Sequence, residues 1–296
     1  MPIEGFERSE VATGEITLSV HRGGTGTPLI LLHGFPENHA CWAKVAPRLA
    51  QDHNVVVPDL RGYGASEAPP DDESHTVYSK RRMARDIVGL MDALGLERAH
   101  VLGHDRGARV AYRLALDAPE RVDRLWIIEI VPTSDFWRMW DARVAMAAYH
   151  WTFLAQDAPL PERLIGAAPG FFIEETMRRW TRGHTLAPFA PEALASYVAQ
   201  AADPGRLAAM CADYRAGATT DRHLDEADRA AARKIAAPVH FLCSDRGFPA
   251  RTGMPDDLWM GWAERVTTST CASGHFVPEE DPQAVLDAFL PFFAAG

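Results

Sequence analysis

The sequence predicts an α/β protein: a mostly parallel central sheet flanked by helices, interrupted once by an inserted helical segment. Three observations lead there. Short apolar runs without alternation, PLILL at Pro28–Leu32, VVVP at Val55–Pro58 and VHFLC at Val239–Cys243, suit strands covered on both faces, as parallel strands are. Amphipathic stretches separate them, and strand–helix alternation with right-handed crossovers is the α/β arrangement. The alternation then stops near Pro132, and strand-like sequence returns only at Pro238.

Taken in order, Thr17–His21 alternates apolar and polar, as a half-buried strand would. Pro28–Leu32 ends at His33-Gly34, and Val55–Pro58 ends at Asp59. Tyr78–Leu94 places Met83, Ile87, Leu90, Met91 and Leu94 on one helical stripe, with Gly95 as the stop. His100–Leu102 is a strand running into Gly103, and Arg106–Asp117 is a helix with Val110, Leu114 and Ala115 inward, ended before Pro119. Leu125–Val131 is the next strand. Residues 133–235 hold no β-like run but many alanines and prolines at 159, 161, 169, 188 and 191, which reads as an all-helical cap. The core is then 1–131 and 236–296, around a cap at 132–235, and the amphipathic segment Gln283–Phe293 closes the chain as a helix.

Composition narrows the function. The chain has 296 residues, 47% hydrophobic and 24% charged, which excludes a disordered or fibrous protein. Thirty Lys and Arg against forty Asp and Glu give a charge of −10, which argues against nucleic acid and against a polybasic membrane anchor. Cys41, Cys211, Cys243 and Cys271 are far apart and form no CxxC, as expected of reduced thiols in a cytoplasmic protein. The first residues carry no basic and apolar leader pattern, and no run of about 18 apolar residues exists, so neither a secretory signal nor a membrane span is expected.

The sharpest chemical signal is Gly103-His104-Asp105-Arg106-Gly107, between a predicted strand and a predicted helix. Glycines two before and two after a central residue match the nucleophile elbow of α/β-hydrolases, where a strained turn lifts one side chain above the sheet. Here that residue is Asp105; taken alone it could equally be a helix-capping aspartate. Its partners stand in the chain order of that fold. His33-Gly34-Phe35-Pro36 ends the first buried strand, where half of an oxyanion hole is built, and His275 lies in Ser273–Glu280 after a last strand-like segment. A carboxylate nucleophile displaces a leaving group from saturated carbon and forms an ester, which a histidine-activated water hydrolyses. Backbone N–H groups of Phe35 and Arg106 would hold the oxyanion of that second step. No zinc-type His/Cys array, HExxH, P-loop or GxGxxG is present, so no metal and no cofactor is implied.

HGFPEN (33–38), DLRGYGAS (59–66), GHDRGAR (103–109) and GHFVPEE (274–280) resemble the fluoroacetate dehalogenases, within the haloacid- and epoxide-processing α/β-hydrolases. The resemblance spans nearly the whole chain, including YHWTFLAQ (149–156) in the cap. It implies an α/β-hydrolase fold and hydrolytic dehalogenation of short haloacetates, a small anionic substrate, and a homodimer. Relatives acting on neutral haloalkanes or epoxides usually carry Trp after the nucleophile; this chain carries Arg106.

Arg106 and Arg109, one and four residues after Asp105, would fork a substrate carboxylate; the bland alternative is that Arg109 and Arg113 form a solvated helix face. In a chain of charge −10, attraction of an anion must be local. By resemblance, His150, Trp151 and Tyr214 would donate to the departing halide, although aromatic residues in a helical cap are commonly packing. Glu129 would orient His275, in place of the family's usual Asp, with Asp245 as competitor. Two other readings stand: an epoxide hydrolase using cap tyrosines Tyr149, Tyr197 or Tyr214 as proton donors, and a non-catalytic ligand receptor on the same scaffold.

Overall fold

The computed structural model describes residues 1–253 and 256–294. Its strands are β1 (Glu7–Ala12), β2 (Thr17–Gly23), β3 (Thr27–Leu32), β4 (His53–Pro58), β5 (Ala99–His104), β6 (Val122–Ile128), β7 (Val239–Ser244) and β8 (Val266–Cys271). They form one eight-stranded sheet in the order β1-β2-β4-β3-β5-β6-β7-β8. The β1–β2 and β2–β4 pairs are antiparallel, and from β4 through β8 every neighbouring pair is parallel.

The solid apolar runs are explained by cover on both sides. In β3, Ile30 and Leu32 face one core cluster and Leu29 and Leu31 face another, all with 0% exposure. Helices Lys80–Ala93 and Asp105–Asp117 pack on the first face through residues such as Met83, Ile87, Val110 and Leu114. The C-terminal helix Pro282–Ala294 covers the second face with Val285, Leu286 and Phe289.

Two strands differ from expectation. The alternation in Thr17–His21 predicts one solvated face, yet Ser19 and His21 are buried with Leu18 and Val20. Inside, Ser19 Oγ accepts from Arg8 Nε at 2.9 Å, while the His21 ring stacks on His39 at 3.9 Å with its Nδ1 left without a partner. β1 has almost no apolar signal because it is an exposed edge strand, and edges are kept polar.

Between β6 and β7 the described elements are all helical: Thr133–Arg138, Ala142–Ala147, Tyr149–Leu154, Leu160–Gly166, Pro169–Trp180, Pro191–Ala202, Pro204–Ala218 and Thr220–Ala230. The last four elements before Thr220 each carry a proline in their first turn, where the missing N–H costs nothing. Among the described residues, no helix is long and apolar enough to cross a membrane.

Candidate active site

Asp105 opens its helix at φ 47°, directly after β5. The flanking glycines are required by contact. A Cβ on Gly107 would lie 2.3 Å from the Leu32 carbonyl, one on Gly103 would lie 2.5 Å from Ala108 Cα, and one on Gly34 would meet the Asp105 Cβ at 2.5 Å. The turn thus presses the nucleophile position against the end of β3, where the Phe35 N–H donates to Asp105 Oδ1 at 2.9 Å. This is the elbow and half-oxyanion geometry that the GxDxG and HGFP motifs predict.

His275 stands over the same carboxylate. Its Nε2 lies 3.6 Å from Asp105 Oδ2 and its Nδ1 lies 3.6 Å from Glu129 Oε2. Both separations exceed a hydrogen bond but keep the imidazole between two anions. Burial opposes its protonation, and the two carboxylates outweigh that, lifting His275 to about 10. Burial raises and His275, His104 and Arg106 lower the Asp105 carboxyl, with a net shift far below the ordinary range. The resting pair is therefore carboxylate and imidazolium.

Glu129 lies one residue beyond the end of β6, at φ 64°, rather than inside the strand. Its carboxylate is fully buried and accepts from the Ser244 N–H and, at 2.7 Å, from the Phe248 N–H. A Cβ on Gly247 would overlap Glu129 Oε2 at 1.7 Å, so the loop after β7 is shaped around this longer acid. Asp245, the competitor, points away and pairs with Arg182 at 2.7 Å.

The loop carrying His275 is fastened from three sides. The Gly274 and Phe276 N–H groups donate to the Glu280 carboxylate, the His275 N–H donates to the Trp180 carbonyl, and the His275 carbonyl lies 2.8 Å from His104 Nε2. His104 in turn holds Glu37 at 2.9 Å.

Arg106 and Arg109, after Asp105, are both buried, but they are not equivalent. Arg106 donates to Asp213 through Nε at 3.1 Å and through Nη2, while its Nη1 is buried with no partner. Asp213 also takes Lys80 and the Tyr63 hydroxyl, at 2.8 Å for the latter. Arg109 donates from Nη1 to the Val131 carbonyl at 3.1 Å and Thr133 Oγ1 at 2.8 Å; its Nε is buried without a partner. Among the described residues no carboxylate lies within ion-pair distance of Arg109, and burial lowers its pKa despite the field of Asp105. Arg113 is buried as well, bound to Asp225 and Asp228, so the solvated-face alternative does not hold.

His150, Trp151 and Tyr214 gather on the cap side. The Tyr214 ring lies 5.5 Å from Trp151 and 5.7 Å from His150, and its edge packs against Phe35 at 5.2 Å. Arg106 sits 4.3 Å over Tyr214, and Arg109 sits 4.6 Å over Trp151. His150 Nδ1 is buried without a partner, and burial holds that imidazole down to about 3, hence neutral. Of the other cap tyrosines, Tyr149 is exposed and the Tyr197 hydroxyl is committed to Glu279.

The model of the alpha/beta hydrolase fold matches residues 27–230. The chain belongs to the α/β-hydrolase family. A fluoroacetate dehalogenase from Burkholderia sp is 42% identical over 97% of this chain and 94% of its own length. A soluble epoxide hydrolase from Corynebacterium sp. (strain C12) is 34% identical, covering 92% and 91%. A solved structure from Nostoc sp PCC 7120, provisionally an α/β hydrolase, matches with TM-score 0.94 at 42% identity over the full length of both chains. The resemblance to the fluoroacetate dehalogenases read from the four motifs is thus borne out at the level of the whole chain.

Several residues of this α/β hydrolase's site escape sequence reasoning. Asp213, Lys80 and Tyr63 form the buried cluster that grips Arg106, and Glu37, His104 and Glu280 anchor the histidine loop. Glu37, Tyr63, His104 and Glu280 lie within the four quoted motifs and Asp213 and Lys80 outside them, and nothing in spacing alone says which charge meets which.

Proposed function

We propose that this hydrolase cleaves the carbon–halogen bond of short 2-haloacids such as fluoroacetate and chloroacetate, giving glycolate and halide. The observation that carries the reading is Arg109: a buried guanidinium four residues after Asp105 that, among the described residues, forms no ion pair with a carboxylate. Such a charge is costly unless a bound anion pairs with it. A substrate carboxylate held there by Arg109, with Nη1 of Arg106 as second donor, directs the α-carbon toward Asp105.

The Asp105 carboxylate attacks that carbon, the C–X bond breaks with its electron pair on the halide, and an ester forms. The neutral His150, the Trp151 indole N–H and the Tyr214 hydroxyl replace the water that a departing fluoride needs. Esterification cancels the charge on Asp105, so His275 loses one of the two anions that hold its proton, releases that proton to solvent and stands as a neutral base. It then takes a proton from water attacking the ester carbonyl. The oxyanion is met by the Phe35 N–H, already aimed at Oδ1, and by the Arg106 N–H, and collapse restores Asp105 and frees glycolate.

Epoxide opening is the second reading, favoured by the Tyr214 hydroxyl, which has no protein partner among the described residues. It is weakened because Tyr149 and Tyr197 are turned out or engaged elsewhere. Halide release from fluoro-, chloro- and bromoacetate, run beside diol formation from a terminal epoxide, tests both. Halide release without diol supports the haloacid reading; diol formation without halide removes it.

A further inference from the structure

The charge of −10 sets a problem for an enzyme whose substrate and product are anions. At long range the protein repels what it must capture, so any attraction has to be local. Outside the catalytic pocket, a small concavity is lined by Arg179, Thr181, Arg182, His184, Arg246 and Arg251. Four guanidiniums thus converge from two segments distant in sequence, the end of helix Pro169–Trp180 and the loop and helix after β7.

Their pairing leaves an excess of positive charge. Arg179 is bound to Glu175 at 2.6 Å and Arg182 to Asp245 at 2.7 Å. Arg246 is exposed and has no side-chain partner among the described residues. Arg251, half-buried, donates to the Arg179 carbonyl at 3.0 Å and, among the described residues, pairs with no carboxylate.

The concavity is one side chain away from the chemistry. Trp180, between Arg179 and Thr181, packs its ring 5.3 Å from that of His275 and 4.4 Å from that of His150. On the other wall, Phe248, three residues before Arg251, donates its N–H to Glu129 and sits 6.2 Å from His150. Burial is the main reason His150 resists protonation, and the charge of Arg251 adds a small contribution in the same direction.

We propose that this arginine concavity is an anion antechamber: a weak site for small carboxylates and halide ions that raises their local concentration at the outer face of Trp180. It rests on the haloacid reading for the identity of the anion, not for its charge. Arg246 and Arg251 supply the uncompensated charge; Arg182 and Arg179 complete the wall.

The experiment compares wild type with the double variant R246Q/R251Q and the charge-preserving R246K/R251K. With fluoroacetate at low salt, the glutamine variant should lose about tenfold in kcat/KM with kcat unchanged. Its dependence on added sodium chloride should flatten, and the lysine variant should recover most of both. Line broadening of chloride-35 by the same three proteins reads anion binding without turnover. Broadening reduced in the glutamine variant and restored in the lysine variant supports the antechamber even if wild type releases no fluoride, in which case the haloacid reading alone fails. Equal broadening in all three proteins, or an unchanged kcat/KM and salt slope, overturns it.

Discussion

Arg109 and Arg113 lie one turn apart on the helix Asp105–Asp117, both buried, in opposite electrostatic surroundings. At the outer end, Arg113 reaches Asp228 at 2.5 Å, Asp225 at 2.9 Å and Asp117 at 3.2 Å. Its pKa is raised: burial pulls it down, and the surrounding groups more than restore it. At the inner end, Arg109 has a carbonyl, a hydroxyl and aromatic faces, but among the described residues no paired carboxylate. The same residue type on the same helix serves two purposes. Arg113 fastens the elbow helix to the cap helix Thr220–Ala230, while Arg109 is left without such a partner, which is what the proposed role of holding a substrate anion requires. Burial alone does not distinguish structural from functional charge; the partner count does.

That contrast can be broken by substitution. The largest effect is expected at the residue that opens the same helix: Asp105→Asn should abolish turnover, by about a millionfold, as loss of a nucleophile does. In wild type, a single turnover in ¹⁸O-water should leave label in the Asp105 peptide; label found only in glycolate would exclude the ester route. Arg113→Met should cost about 3–5 kcal/mol of stability, because it strands buried carboxylates. Denaturant unfolding measures it, and the folded fraction should keep the wild-type KM. Arg109→Met should do the reverse. About a hundredfold to a thousandfold loss in kcat/KM toward haloacetates is expected, chiefly through KM, with Tm unchanged or raised because an uncompensated buried charge is gone. Were Arg109→Met to unfold the protein and spare KM, the distinction would be wrong.

The smallest effect expected is on pH dependence of stability. His275 has a folded-state pKa of about 10 against 6.5 unperturbed, so the stabilisation from its imidazolium is complete below about pH 6.5 and lost as pH rises toward 10. Asp105 is depressed, so its contribution is present above its ordinary value of 3.8 and lost in acid. Tm of wild type should therefore fall between pH 6.5 and 10 by an increment that His275→Gln lacks.

Much of this was legible in the chain. Gly103, Asp105 and Gly107 were readable because the elbow admits no side chain at its flanks, and close packing against Leu32 and His33 is a constraint the sequence records directly. The parallel strands were readable because burial on two faces removes polar residues from the pattern. β1 was not, since an exposed edge has no apolar period to detect. The order Asp105, Glu129, His275 was readable from chain position. The socket that Ser244, Gly247 and Phe248 form around Glu129, which supports the preference for it over Asp245, is visible only in space.

Residue type and local period are properties of neighbours in the chain, and these by themselves determined the α/β-hydrolase fold, the turn that presents Asp105 above the sheet and the arginines that follow it. Which arginine is neutralised is a property of neighbours in space. Asp213 lies 107 positions from Arg106 in the chain, and Asp225 lies 112 from Arg113. Only the packing of the cap on the elbow helix could assign those carboxylates, and in doing so it left Arg109 as the charge without an answer.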